Sequence, residues 1–207
     1  DPESEPMPIA GTVTPLVAGQ FEVKSVRQHP VDDSLWFISN RGDPSTWRLE
    51  RVDPKSGWAE TMVGDPGMVE TFAISPDGAD LLYLHSTIDH PAELYVQNIE
   101  NAETRQVLTH STTPKFDRLE RHAPILVDVP GRHGRTIRGR LHLPPDEFAG
   151  SEDRGRRPAI LFVHGAGYLQ NAHAGWSRYF REGLFHDLLA REGFVVLDLD
   201  YRASAGY

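Results

Sequence analysis

The apolar positions of the chain follow two different rhythms. From about residue 20 to residue 113 they come in short runs: SLWFIS (34–39), WRLERVD (47–53), TFAIS (71–75), DLLYLHS (80–86) and ELYVQNIE (93–100). These runs are rich in β-branched and aromatic residues. The stretches between them, NRGDPS, DPKSG, SPDG and DHPA, have turn compositions, so the pattern predicts short strands joined by tight connections. No helical period survives in this half.

The half also repeats. HPVDDSLWFIS returns as SPDGADLLYLHS, and WRLERVDPKSGWAETMV returns as LYVQNIENAETRQVLT. The offset is about 46 residues from Pro30 to Pro76 and about 47 from Trp47 to Leu94, close to the spacing of propeller blades. Each unit holds roughly four strand-like segments, as a blade does. Two blades cannot close a ring, since propellers need about 4–8. The plainer alternative is a small β-sandwich whose hairpins resemble one another by chance. The recurrence of both offset and segment order favours blades.

Residues 114–123, PKFDRLERHA, are charged and nearly without period, and are read as a linker. The rhythm then changes. PILVDVP and TIRGRLHLPP flank GRHGR, which predicts a hairpin. Ile137, Leu141 and Leu143 share one face; Arg138, Arg140 and His142 share the other. After a polar loop, AILFV (159–163) is a continuous apolar strand, expected where helices cover both faces. Trp176, Phe180, Leu184 and Leu188 then recur every fourth residue, with Phe185 and Leu189 beside them, which predicts an amphipathic helix ended by Gly193. FVVLDLD follows as a second apolar strand. Hairpin, strand, helix, strand is the opening of an open α/β sheet. The expected fold class is therefore mixed: all-β propeller blades, then the N-terminal part of an α/β domain. The expected division is an N-terminal segment at 1–20, blades at 21–113, a linker at 114–123 and the α/β part at 124–207.

Composition narrows the picture. With 39% hydrophobic and 25% charged residues the balance is that of a soluble globular protein. A net charge of −9 argues against a nucleic-acid partner. No apolar run approaches the roughly 20 residues of a membrane span. The absence of cysteine removes disulfides, thiolate catalysis and cysteine zinc sites, and leaves the compartment unknown. The opening DPESEPMPIAG has neither an initiator Met nor a signal-like segment, so the chain is expected to be an excised piece or a mature form.

The chemistry concentrates where AILFV runs into His164-Gly165-Ala166-Gly167. In open α/β sheets, sites form beyond the carboxyl ends of strands. A glycine-rich turn there lets backbone N–H groups face a ligand without Cβ interference. In α/β-hydrolases an HGGG-type corner supplies one donor of the oxyanion hole. A phosphate loop is the rival, but the corner lacks the P-loop lysine, and Tyr168, Leu169 and Gln170 break the GxGxxG spacing. The plain alternative is a tight turn with His164 bonded to backbone. Arg41-Gly42-Asp43 matches an adhesion tripeptide and is read as a solvated turn between strands.

The repeat, the linker, the edge hairpin, the corner and DYRASAGY together resemble the prolyl oligopeptidase family of serine peptidases. The subgroup resembled contains dipeptidyl peptidase IV and the acylaminoacyl peptidases. Asp200, Arg202, Ser204, Gly206 and Tyr207 match that family's D-x-R-G-S-x-G-Y pattern, with Ala203 at the usual Gly. The resemblance covers the chain from about Phe21 onward. It implies a propeller gating an α/β-hydrolase domain, its first part at 124–207, that cleaves oligopeptides, often after proline, with a peptide substrate and no cofactor or metal. Some members carry a tyrosine where His164 stands; others have His-Gly-Gly. The oxyanion-hole candidates are thus Gly165, Ala166 and Tyr168, while His164, Gly167, Asp200 and Arg202 are structural residues near the site. Asp200 and Arg202 are read as a pair holding the exit loop.

The nucleophile of such an enzyme sits in G-x-S-x-G, and the triad runs Ser, Asp, His along the chain. No such pentapeptide occurs. RASAG (202–206) has Arg202 at the first Gly position, and no base is expected near Ser204. The triad is therefore expected beyond residue 207, in a remainder of the same polypeptide. The chain alone is expected to be inactive, with homo-oligomerisation of the parent left open. An esterase of the hydrolase fold and a non-catalytic propeller binding module are the alternatives.

Overall fold

A computed structural model describes residues 13–145, 157–165, 169–177 and 179–206. The first half forms two four-stranded sheets with the same topology. One contains β1 (Val23–Gln28), β2 (Leu35–Ser39), β3 (Arg48–Val52) and β4 (Ala59–Val63); the other contains β5 (Met68–Ile74), β6 (Asp80–Ser86), β7 (Glu93–Asn98) and β8 (Gln106–Val107). Each is an antiparallel meander in chain order. The sequence repeat is thus the repeat of a sheet, down to backbone detail. The first hairpin closes with His29 N–H donating to Ser34 O, and the second with Ser75 N–H donating to Asp80 O, both at 2.9 Å. Both first strands carry a register shift, at Lys24/Arg27 and at Val69/Thr71.

Neither sheet could bury its face alone. Trp36, Ile38, Trp47 and Leu49 of the first pack with Met68, Val69, Phe72, Leu81 and Tyr83 of the second in one cluster. Trp36, Ile38, Leu49 and Leu81 lose all contact with water. At about 25 cal/mol per Å² of apolar area removed from water, this shared core dominates the cohesion of the half. Val69 N–H donates to Trp47 O at 2.8 Å, fastening the sheets along their edge.

The third sheet has the order β11-β12-β10-β9, where β9 is Ile125–Pro130, β10 Thr136–His142, β11 Ala159–Val163 and β12 Val195–Leu199. β9 and β10 form the expected hairpin. β11 and β12 are parallel, and β10 joins β12 antiparallel. A one-turn helix α1 (Pro114–Asp117), capped by the Thr113 hydroxyl, starts the stretch read as a linker. Helix α2 (Phe180–Arg191) crosses over between β11 and β12. Gly193, at φ 92°, ends it: Gly193 N–H donates to Ala190 O and Phe194 N–H to Leu189 O. That reciprocal pair is the Schellman arrangement, which favours glycine in the left-handed region.

Two expectations need correction, on β11 and α2, and the hairpin's orientation is newly fixed. Strand β11 is an edge strand among the described residues, paired only with β12, and is not covered on both faces. Leu161 and Val163 are 62% and 49% exposed. The hairpin turns its polar face inward. Arg140 and His142 are buried, while Leu143 is exposed. The reason is that the inward face meets a polar segment, residues 169–177, rather than an apolar layer. Helix α2 buries His186, Asp187 and Ala190, whereas Phe185 and Leu188 are exposed and Trp176 lies before the helix. The buried stripe follows helical spacing, but side chains that suit the polar sheet face occupy it.

Residues 169–177 lie between this sheet and the first two. Ala174 N–H donates to Ser45 O at 2.7 Å, and Trp176 N–H to Ser86 Oγ at 3.0 Å. Trp47 Nε1 donates to Gln170 Oε1 at 2.9 Å, and Gln170 Nε2 to Pro44 O at 2.7 Å. The Arg41-Gly42-Asp43 turn is part of this junction and not simply solvated. Arg41 forks onto Glu50 Oε1 at 3.0 and 2.8 Å, and Arg138 Nη1 donates to Asp43 Oδ1 at 2.9 Å. Gly175 is pressed so closely that a Cβ would stand 2.6 Å from Met68 Cβ and 2.9 Å from Ser86 Oγ. Gly175→Ala is therefore expected to destabilise the protein by about 1–3 kcal/mol. Chemical denaturation checks this; an unchanged midpoint would mean that the contact relaxes freely.

Candidate functional site

The register of the parallel pair sets the site. Val163 lies opposite Leu199, so His164 and Asp200 leave the sheet side by side at its carboxyl end. Both are buried, Asp200 at 1% exposure. His164 Nε2 lies 3.0 Å from Asp200 Oδ1, and His164 Nδ1 lies 2.9 Å from Gly165 O. Asp200 also accepts from the Asn171 N–H at 2.9 Å and, through Oδ2, from the Ala172 N–H at 3.1 Å. Among the described residues, a Cβ at Gly165 would meet nothing within 4 Å.

The partner of Asp200 is thus His164, and Arg202 stands exposed on the exit turn. The expected Asp200–Arg202 pair is replaced by a carboxylate–imidazole pair, because β11 delivers His164 to the point where β12 delivers Asp200. Ala166, Gly167 and Tyr168 lie outside the described residues. Ser204 is buried and its Oγ comes within 3.4 Å of His164 Nε2, a proximity the sequence did not reveal. The result imitates a Ser-His-Asp triad without being one. A relay needs the nucleophile on one ring nitrogen and the carboxylate on the other. Here Asp200 and Ser204 share Nε2. The Ser204 hydroxyl also accepts from the Tyr201 N–H at 3.2 Å, which ties it into the turn.

Beneath the corner lies a layer of buried charge that no sequence pattern announced. Arg140 donates from Nε to His173 O at 3.1 Å and from Nη2 to Gly175 O at 2.5 Å. Burial lowers its pKa to about 10, against the pull of Asp198 and Asp200. Burial raises Asp198 to about 6, although both carboxylate oxygens accept from Asn171 Nδ2, at 3.1 and 3.2 Å, and Arg140 is nearby. Burial lowers His142 to about 3, helped by His186 and Arg140. The only legible hint was the alternation of Arg138, Arg140 and His142 along β10. Asn171, in a run without period, gave no signal at all.

Beside the corner a cleft of about 200 Å³ lies between the first sheet and the segment at 169–177. Glu22, Lys24 and Trp47 form one wall; Leu169, Gln170 and His173 form the other. The Lys24 ammonium sits 3.9 Å above the Trp47 ring. The Gly206 N–H donates to Glu22 Oε1 at 2.8 Å, and Asn40 Nδ2 donates to Gly206 O at 2.8 Å, which closes the end of the cleft. The site offers a strand-end corner, a polar-rimmed cleft and a buried clamp. Among the described residues no cluster of three or more His, Asp or Glu is placed to hold a metal, and no helix is long and apolar enough to cross a membrane.

This is a fold of two antiparallel four-stranded sheets joined to a mixed four-stranded sheet with a crossover helix, with the corner near their junction. The same fold occurs in two solved peptidases. The dipeptidyl peptidase 4 of Porphyromonas gingivalis superposes with a TM-score of 0.72 at 13% identity, over 89% of this chain and 25% of that one. The acylaminoacyl peptidase of Pyrococcus horikoshii superposes with a TM-score of 0.65 at 20% identity, over 90% of this chain and 26% of that one. The chain therefore spans about a quarter of the length of these proteins. At such identities the likeness is one of fold. No family model and no curated protein sequence matches the chain.

The two buried titrating groups make opposite demands on pH. The raised Asp198 favours the folded state below about pH 4, and that contribution fades as pH rises through 6. The lowered His142 favours the folded state above about pH 6.5, and that contribution fades as pH falls toward 3. Asp198→Asn removes the first effect alone. The stability of the variant relative to the parent is expected to improve between pH 4 and pH 6, by up to about 3 kcal/mol. Denaturation midpoints at the two pH values check this. A difference that does not move with pH would show that Asp198 titrates normally.

Proposed function

We propose that the chain is part of a serine peptidase in which a β-propeller precedes an α/β-hydrolase domain. On this reading residues 21–113 are two blades, 114–123 the linker, and 124–207 the start of the hydrolase domain. The observation that carries it is the His164–Gly165 corner. It ends a strand parallel to β12, is clamped by Asp200, and stands beside a cleft walled by the first sheet. The fold shared with two peptidases supports the same reading.

The substrate is an oligopeptide held in the cleft. A serine on a G-x-S-x-G elbow beyond residue 207 attacks the scissile carbonyl. A histidine takes its proton and later gives it to the leaving amine, and an aspartate orients that histidine. The corner's part is electrostatic. A backbone N–H at Gly165 or Ala166 meets the oxyanion without reorganising during the reaction. The Tyr168 hydroxyl is the competing donor.

A fluorophosphonate probe, which phosphonylates activated serines with loss of fluoride, tests the reading on the full-length protein. It is expected to label one serine beyond Tyr207, and the labelled protein should lose hydrolysis of peptide substrates. The 207-residue chain should stay unlabelled, and Ser204→Ala in the full-length protein should keep its label. Ester turnover without peptide turnover would instead make it an esterase, and no labelled serine would make it a binding module. Within an active enzyme, Ala166→Pro removes an N–H and is expected to lower kcat by roughly 10²–10³. Tyr168→Phe should leave most activity. The reverse pattern would assign the oxyanion hole to the tyrosine.

A further inference from the structure

We infer that Asp200 is a positioning residue for the corner, which it fixes by bonding the segment on both sides. The inference rests on the peptidase reading above and adds a role that the reading does not contain. Asp200 holds His164 just before the corner, and Asn171 and Ala172 just after it, at 3.0, 2.9 and 3.1 Å. One carboxylate therefore ties the end of β11 to the segment that begins at Leu169.

The hold passes onward through His164. Its second nitrogen lies 2.9 Å from Gly165 O, so an imidazole carrying a proton on each nitrogen donates to Asp200 and to that carbonyl together and fixes the carbonyl's direction. Because a peptide group is planar, fixing the Gly165 carbonyl fixes the plane of the peptide that follows it. The chain of control is Asp200, His164, then the Gly165 carbonyl. Asp200 is itself anchored: its own N–H donates to Arg138 O at 3.0 Å. At 1% exposure it meets little competition from water for its bonds. Ser204 enters the same constellation through His164 Nε2 at 3.4 Å, and serves to position rather than to react.

The test uses Asp200→Asn in the full-length protein, with His164→Ala beside it. The amide keeps the size of the carboxylate, but turns an NH2 group toward one of the groups that donate to it. Hydrogen exchange is read on peptides covering residues 164–172, and kcat is normalised to the serine counted by fluorophosphonate at saturation. In Asp200→Asn, amide exchange in 164–172 is expected to accelerate at least about tenfold, while β2 and β6 exchange as in the parent. A misplacement of about 1 Å at a reacting centre can cost 10²-fold, so kcat is expected to fall by about that factor with KM little changed. His164→Ala should reproduce the fall, and the double variant should be no worse than either single one.

Faster exchange with unchanged kcat per labelled serine would overturn the inference, since the residue would then be merely structural. A fall in kcat with exchange unaltered would also overturn it, because the proposed route runs through the loop. A parent that neither labels nor hydrolyses peptides would sink the peptidase reading instead. In that case the exchange result alone decides: protection lost in Asp200→Asn supports the tie, and protection kept removes it.

Discussion

A buried guanidinium organises the junction of this molecule. Arg140 stands on an interior strand with no water to solvate it, so it requires acceptors within reach. It finds them in the carbonyls of His173 and Gly175, which belong to the segment between the sheets. That bonding also serves the segment, whose carbonyls would otherwise be buried without partners. The polar inner face of the third sheet and the irregular path of residues 169–177 are thus two sides of one constraint.

The segment in turn joins what are otherwise separate sheets. Ser45 and Ser86, one from each of the first two sheets, bond the backbone at Ala174 and Trp176. Gln170 bridges to Trp47 and Pro44. Beyond α2 and β12, Asp200 bonds the near end of the same segment at Asn171 and Ala172. The geometry of the region therefore depends on hydrogen bonds that cross between sheets. The cleft beside the corner takes its shape from the same contacts, with Trp47 serving both core and wall.

The repeat in the first half was legible because it is local: hairpin turns, apolar runs and their offset lie within single segments of chain. The parallel pair and its crossover helix were legible for the same reason. What the sequence did not reveal depends on distance. The His164–Asp200 pair spans 36 residues, and nothing in either neighbourhood marks the other. Arg202, two positions after Asp200, looked the better partner because proximity in sequence is all that a pattern offers. The face of α2 was assigned by the rule that apolar residues turn inward. That rule reverses where the inner layer is itself polar, as it is around Arg140, His173 and Asp198. The edge position of β11 follows from pairing, which composition does not encode.

The placement of β10 has a consequence for the order of events during synthesis. Its hairpin partner β9 emerges just before it, but its other neighbour, β12, pairs Leu199 with Gly139 and follows some 60 residues later. At about 5–20 residues per second, β10 waits roughly 3–12 s for that neighbour. Throughout the delay the hairpin presents Arg138, Arg140 and His142 on one face and an open strand edge beside them. Charges along an unpaired edge discourage association with other chains. The arginine that later holds the junction together thus also guards the nascent strand until its rightful neighbour leaves the ribosome.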